Sequence, residues 1–76
     1  MSPRLPRVTT REIIAVLQRR GFRVVRQSGS HQIYKDSTGT RVTVPYHSGS
    51  TVLHPKLLKA ILKDLKLTGE ELRKEL

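Results

Sequence analysis

Cysteine and tryptophan are both absent from this 76-residue chain, and one Phe and two Tyr are its only aromatic residues. Without cysteine, neither disulfides nor thiolate zinc sites can stabilise the fold, and a chain of this kind suits the reducing cytoplasm. No apolar run approaches the roughly 18 residues that cross a bilayer. The basic N-terminus has no apolar segment behind it, so we expect neither a membrane span nor a secretory signal.

Acidic residues are also scarce: six Asp and Glu stand against fifteen Lys and Arg, a formal net charge of +9. Such an excess favours a polyanionic partner, because binding releases counterions from a phosphate backbone. Two alternatives stay open. The chain could be a basic protein without such a ligand, or its basic surface could bind an acidic protein.

The length predicts a single domain over residues 1–76 with a thin core. Residues 1–8 contain two prolines and two arginines and are typical of an irregular N-terminal arm. Two Thr-x-x-Glu capping boxes, at Thr9 and Thr68, indicate helix starts, and a proline begins the helix between them. The predicted helices are Thr10 to Arg20, ended by Gly21, then Pro55 to Leu65, and a short last helix carrying Leu72 and Leu76 on one face.

Three short segments rich in β-branched residues predict strands: Phe22 to Gln27, His31 to Asp36 and Arg41 to Tyr46. Turns are expected at residues 28–30 and 37–39, with glycine in each. Pro45 lacks an amide hydrogen, so it is expected at a strand end or a sheet edge.

The element order is therefore α-β-β-β-α, an α+β fold in which a three-stranded antiparallel sheet carries the helices on one face. The other face is left open to water or to a ligand. This is the chain order of a double-stranded-RNA-binding-domain-like fold, although order alone does not transfer function.

The three histidines show no spacing typical of a metal site, and the acids are scattered, so we expect no metal and no cofactor. What remains is metal-independent acid–base chemistry on RNA, whose 2′-hydroxyl is its own nucleophile. Imidazole suits the proton transfers because its ordinary pKa, about 6.5, lies near neutral pH. We therefore predict His31 as the catalytic group, with phosphate-binding residues Arg26, Ser28, Gly29, Ser30 and Lys35. The alternative is a strand-end histidine that is hydrogen-bonded to the backbone.

Lys56, Lys59 and Lys63 occupy one stripe of the second helix, which is either a solvated surface or a further grip on phosphates. His47 could be a second acid–base group, but a solvated loop histidine is the commoner case, and His54 is expected to cap or pack at the second helix. Tyr34 and Tyr46 could stack on bases, but packing is the commoner role of a tyrosine in so small a core.

The segments RQSGSHQIYK and RVTVPYHSG, preceded by IIAVLQRRGF, resemble the HicA toxin family, also called YcfA-like. The likeness runs over residues 4–72, and its most specific part is Gly-Ser-His at residues 29–31 followed by Val-Thr-Val-Pro at residues 42–45. It implies a double-stranded-RNA-binding-domain-like fold and an endoribonuclease that cleaves single-stranded mRNA. It also implies that His31 is catalytic and that a HicB-type antitoxin is the protein partner.

The start of the second helix, His54 to Leu57, departs from the Gly-Thr-Leu-like pattern of that family. Contacts at this helix start are therefore not carried over. Two other readings remain: a non-catalytic RNA-binding module of the same fold, and an interaction protein whose basic face serves only an acidic partner.

Overall fold

The computed structural model describes residues 5–76, so the first half of the predicted N-terminal arm lies outside the described residues. The elements follow the order α-β-β-β-α-α, which confirms the predicted α+β class. They are α1 (Thr10–Arg19), β1 (Arg23–Ser28), β2 (His31–Lys35), β3 (Arg41–Pro45), α2 (Pro55–Leu65) and α3 (Gly69–Glu75).

Both predicted capping boxes are present. At α1, the Thr9 hydroxyl accepts a hydrogen bond from the backbone N–H of Glu12 (3.2 Å), and the Glu12 carboxylate accepts one from the backbone N–H of Thr9 (2.9 Å). The same reciprocal pair begins α3. Each box satisfies two donors that a helix start leaves free. α1 ends at Arg19, one residue earlier than predicted, and Gly21 follows with φ +87°.

α2 begins without a capping box. His54 is its N-cap, and its Nδ1 accepts a hydrogen bond from the backbone N–H of Lys56 (3.1 Å), which confirms the capping role predicted for this histidine. Pro55 occupies the first turn, where its missing N–H costs nothing. Lys66 ends the helix in the left-handed conformation (φ 58°).

The strands form one antiparallel sheet in the order β1-β2-β3. The first turn is shorter than predicted, because Ser28 belongs to β1 and pairs with His31. Only Gly29 and Ser30 remain in the turn. Gly29 has φ +56°, the sign that a two-residue type II′ turn requires at its first central position. This turn type matches the twist of the strands, so pairing continues up to Ser28.

The second turn is organised by Asp36, which the sequence places in a strand but which lies just after β2. Its carboxylate accepts hydrogen bonds from the backbone N–H groups of Thr38 (3.0 Å) and Thr40 (2.9 Å) and from the Thr38 hydroxyl (2.8 Å). The Thr38 hydroxyl and these N–H groups lower the pKa of Asp36. β3 ends at Pro45, one residue before the predicted end, so the proline does lie at a strand end.

The core lies between the helices and β2–β3. Its buried side chains are Val8, Ile13, Val16, Leu17, Phe22, Tyr34, Val42, Val44, Leu53, Leu58, Ile61, Leu62 and Leu72. The arm contributes Val8, which is fully buried, and Thr9 pairs with Val52 in the loop before α2. The helices do not cover β1: all six of its residues are exposed, including Val24 (52%) and Val25 (57%).

Candidate nucleic-acid interface

The strand register assigns each residue of the sheet to one of its two faces, because residues directly opposite each other project to the same side. Tyr34 and Val42 are opposite each other and buried under the helices. The other side carries three cross-strand rows. They are Ser28–His31–Pro45, Arg26–Ile33–Thr43 and Arg23–Lys35–Arg41, and we call these nine residues the open face.

A β-bulge at Val25 decides which side β1 presents. Val24 is opposite Tyr34, but the next paired residue of β1 is Arg26, opposite Ile33. If Val25 were an ordinary paired residue, strict alternation would put Val25 on the open face and Arg26 on the helix side. The bulge instead brings Arg26 and Ser28 to the open face, which is a known use of bulges beside functional sites.

The open face is strongly basic. Four of its nine positions are cationic, none is Asp or Glu, and all but Ile33 and Pro45 are exposed. Within residues 5–76, the four cations form no ion pair with a carboxylate, since the acids of that range that pair do so with Arg20 and Arg73. Their charge is therefore available to an anionic ligand.

His31 begins β2, directly opposite Ser28, with their Cβ atoms about 4.5–5.5 Å apart. Its side chain is exposed, and within residues 5–76 its imidazole has no hydrogen-bond partner. The alternative of a structural histidine tied to the backbone therefore finds no such bond in the described part of the chain. Both ring nitrogens are free to exchange protons with a ligand.

The predicted cations do not all gather at His31. Rows on one face repeat every two residues, about 6.6 Å along the strand, so Arg26 is one row away and Lys35 is two rows, about 13 Å. Lys35 is therefore too distant to share one phosphate with His31. Arg26 is the nearest cation of the open face in register, and Lys35 suits a neighbouring phosphate.

Gly29 and Ser30 form the turn beside His31. No atom within 4 Å would meet a Cβ at Gly29, so the left-handed φ, and not a close contact within the protein, is what favours glycine there. Ser30 is half-buried, and its carbonyl oxygen accepts a hydrogen bond from the N–H of Tyr46. This bond anchors the turn to the residue that follows β3.

Neither tyrosine lies on the open face. Tyr34 is buried, and its hydroxyl donates a hydrogen bond to Gln32 Oε1 (2.7 Å). Burial, with a smaller effect of Tyr46, raises its pKa. Tyr46 lines a groove with Tyr34 and residues of α1, among them Arg11. Tyr34 therefore has a packing role in the core, and neither tyrosine can stack on a base at the open face. Stacking there would involve the planar guanidinium groups of its arginines.

Lys56, Lys59 and Lys63 lie elsewhere. They line a groove of the helical layer, to which no residue of β1–β3 contributes. The structure therefore separates the lysine stripe from the Gly-Ser-His turn. His47 is exposed in a bend after β3, as expected for a solvated loop histidine.

Two cations of the open face, Arg23 and Arg41, were not among the residues singled out from the sequence. The sequence carried a signal for Arg41, because the alternation in residues 41–46 places its side chain on the other face of the strand from the buried valines. Its neighbours in space could not be read from that pattern, since the register across three strands is a tertiary property.

Among residues 5–76, no three His, Asp or Glu side chains come together in a way that could hold a metal ion. No helix of this range is long and apolar enough to span a membrane.

Comparison with known proteins gives one decisive match. Residues 10–67, more than half of the chain, match the family described as HicA toxin of bacterial toxin-antitoxin. The chain belongs to the HicA toxin family. The matched range contains the whole sheet and all of α2, so the open face and the Gly-Ser-His turn lie inside the HicA match. No curated protein matches the chain.

Proposed function

We propose that this HicA toxin is a metal-independent endoribonuclease that cleaves single-stranded mRNA in the cytoplasm, with His31 as the acid–base group. The observation that carries the proposal is an exposed histidine without a partner among the described residues, in a row with Ser28 and next to the row of Arg26 on a basic face. His31 is not part of the hydrophobic core, so packing does not account for a histidine at this position. The family match supports the toxin role.

The chemistry follows from the substrate. His31 accepts the proton of a ribose 2′-hydroxyl as its oxygen attacks the adjacent phosphorus. The bond from phosphorus to the 5′-oxygen breaks and that oxygen takes a proton from water, which leaves a 2′,3′-cyclic phosphate and a 5′-hydroxyl. The protonated His31 then gives its proton to the resulting hydroxide. In this proposal, Arg26 and the Ser28 hydroxyl donate hydrogen bonds to the phosphate oxygens as negative charge develops on them.

The other cations of the open face bind phosphates elsewhere along the RNA strand. Lys35, Arg23 and Arg41 form the row about 13 Å from His31, which suits contacts to neighbouring phosphates. Such contacts do not depend on the base sequence of the RNA, but they fix the position of the RNA strand on the protein. The protein partner we propose is a HicB-type antitoxin that blocks this activity.

The test is cleavage of a single-stranded RNA in EDTA by the wild type, His31→Ala and His47→Ala. His47 is the matched control, because it is an exposed histidine outside the open face. Wild type and His47→Ala should cleave, and His31→Ala should lose at least about a hundredfold in rate, the usual contribution of one acid–base group. Circular dichroism confirms that all three are folded.

A second substrate tests the nucleophile. An RNA with one 2′-deoxy residue at the cleaved linkage should resist cleavage there and be cut elsewhere. Cleavage by His31→Ala at the wild-type rate would remove His31 from the mechanism. RNA binding without any product would favour the non-catalytic RNA-binding module instead.

A further inference from the structure

The groove of the helical layer is a second candidate surface, which we call the lysine groove. It has a volume of about 570 Å³ and is lined by Leu5, Lys56, Lys59, Ala60, Leu62, Lys63, Leu67 and Gly69. It lies between α2 and the segment that leads into α3, with Leu5 of the arm at Gly69. The open face is on the opposite side of the sheet from the helices.

The three lysines give the lysine groove one sign of charge. Lys56, Lys59 and Lys63 follow i, i+3, i+7 spacing, so they form a stripe about 10 Å long on α2. Within residues 5–76 none of the three forms an ion pair, and no acid lines the groove. The first turn of α2 has no acidic residue either, so the helix dipole adds to the positive potential there.

The rest of the lining is aliphatic, and this argues against RNA as the occupant. Proteins hold single-stranded RNA by stacking bases on aromatic rings or arginine planes. The lysine groove has neither. An aliphatic floor of Leu62, Leu67 and Ala60 beside a row of cations instead complements a helix with apolar side chains on one face and carboxylates at its margin.

We propose that the lysine groove is a docking site for an acidic amphipathic helix of a protein partner. Charge complementarity selects the carboxylates, and the floor between the lysines takes the apolar side chains. Because the groove and the open face are on different layers of the fold, a partner docked here leaves His31 uncovered. The proposal does not rest on the ribonuclease assignment, since it concerns binding at another surface.

The probe is a fluorescein-labelled synthetic peptide of about 18 residues, long enough to form a helix, with Leu along one face and Glu beside it. We expect salt-sensitive binding by fluorescence anisotropy, and amide chemical-shift changes in α2 and residues 66–69. A peptide with Lys in place of Glu should not bind. Amide shifts confined to β1–β3 would overturn the proposal, and so would absence of binding.

Matched variants separate the lysine groove from general charge attraction. Lys59→Glu and Lys35→Glu change the charge equally, but only Lys59→Glu should weaken the peptide, by about fivefold. Ala60→Arg fills the groove while it adds a cation, so it should abolish peptide binding. If Ala60→Arg or Lys59→Glu binds the peptide as the wild type does, the site is wrong. If single-stranded RNA, and not the peptide, perturbs α2 and binds more tightly to Ala60→Arg, the occupant is RNA and the proposal fails.

Discussion

The salt dependence of RNA binding should report how many cations of the open face contact phosphates. The ligand is a single-stranded RNA with 2′-methoxy groups, which has no nucleophile for strand cleavage. Each phosphate neutralised on a single strand contributes about −0.7 to the slope of log K against log salt concentration. Arg23, Arg26, Lys35 and Arg41 together then give a slope of about −2.8.

The size of that slope makes the effect easy to measure. Between 50 and 200 mM salt, a slope of about −2.8 lowers the affinity about 50-fold. Arg41→Gln removes one charge and keeps a polar side chain, so the slope should fall to about −2.1. Arg41 is an informative position, because the strand register places it beside Lys35 on the open face, at the far end from His31.

The control is Lys74→Gln, which removes one exposed charge from α3. It lowers the net charge as much as Arg41→Gln does, but its slope should equal that of the wild type. Fluorescence anisotropy at five or so salt concentrations gives each slope. If Arg41→Gln keeps the wild-type slope, Arg41 contacts no phosphate; if Lys74→Gln lowers the slope equally, RNA senses the overall charge of the protein. Either result refutes the assignment of the open face.

Two further predictions concern stability. Leu72→Ala, at a fully buried position, should cost about 2–5 kcal/mol and lower the Tm by about 10 °C or more. Leu76 lies just after α3, not on it as predicted, and its side chain is 48% exposed, so Leu76→Ala should change the free energy of unfolding by less than about 0.5 kcal/mol. Equal Tm values in thermal circular dichroism would contradict the core assignment. Because its turn lowers the pKa of Asp36, the stabilisation by its carboxylate is present above the unfolded-state pKa, near 4, and is lost as the pH falls through the lower folded-state value. The Asp36→Asn variant should therefore be less stable than the wild type at pH 6, and its stability should fall less than that of the wild type on acidification to pH 3. Some fall should remain, because the pKa of Glu71 is also lowered. Identical pH dependence of the urea midpoints of the two proteins would refute this role of Asp36.

Features set by neighbouring residues could be predicted from the sequence. The capping boxes at Thr9 and Thr68 fixed two helix starts, because a Thr side chain and a Glu three residues later satisfy each other's backbone N–H groups. Pro55 marked the start of α2 in the same way. The predicted last residue of each β-strand was wrong by one position, because a strand ends where its pairing with the neighbouring strand ends.

Features set by tertiary pairing could not be predicted. Residues 22–27 have the composition of a regular strand, but nothing in them marks Val25 as the extra residue of a bulge. The face of Arg26 was therefore not available from the sequence. Val24 is half exposed because no helix covers β1, and the composition of the strand does not show this either. Likewise, helical spacing grouped Lys56 with Lys59 but did not show that their groove lies apart from His31.

The bulge makes the length of β1 as important as its composition. Val25 is exposed and has no partner in the register, so many side chains should be acceptable at this position. Deletion of Val25 would leave Arg26 directly after Val24 and still opposite Ile33, whereas deletion of Gln27 would place Val25 opposite Ile33 and turn Arg26 towards the helices. A three-nucleotide deletion at the codon of Gln27 would thus remove Arg26 from the open face while it leaves every functional side chain in the chain.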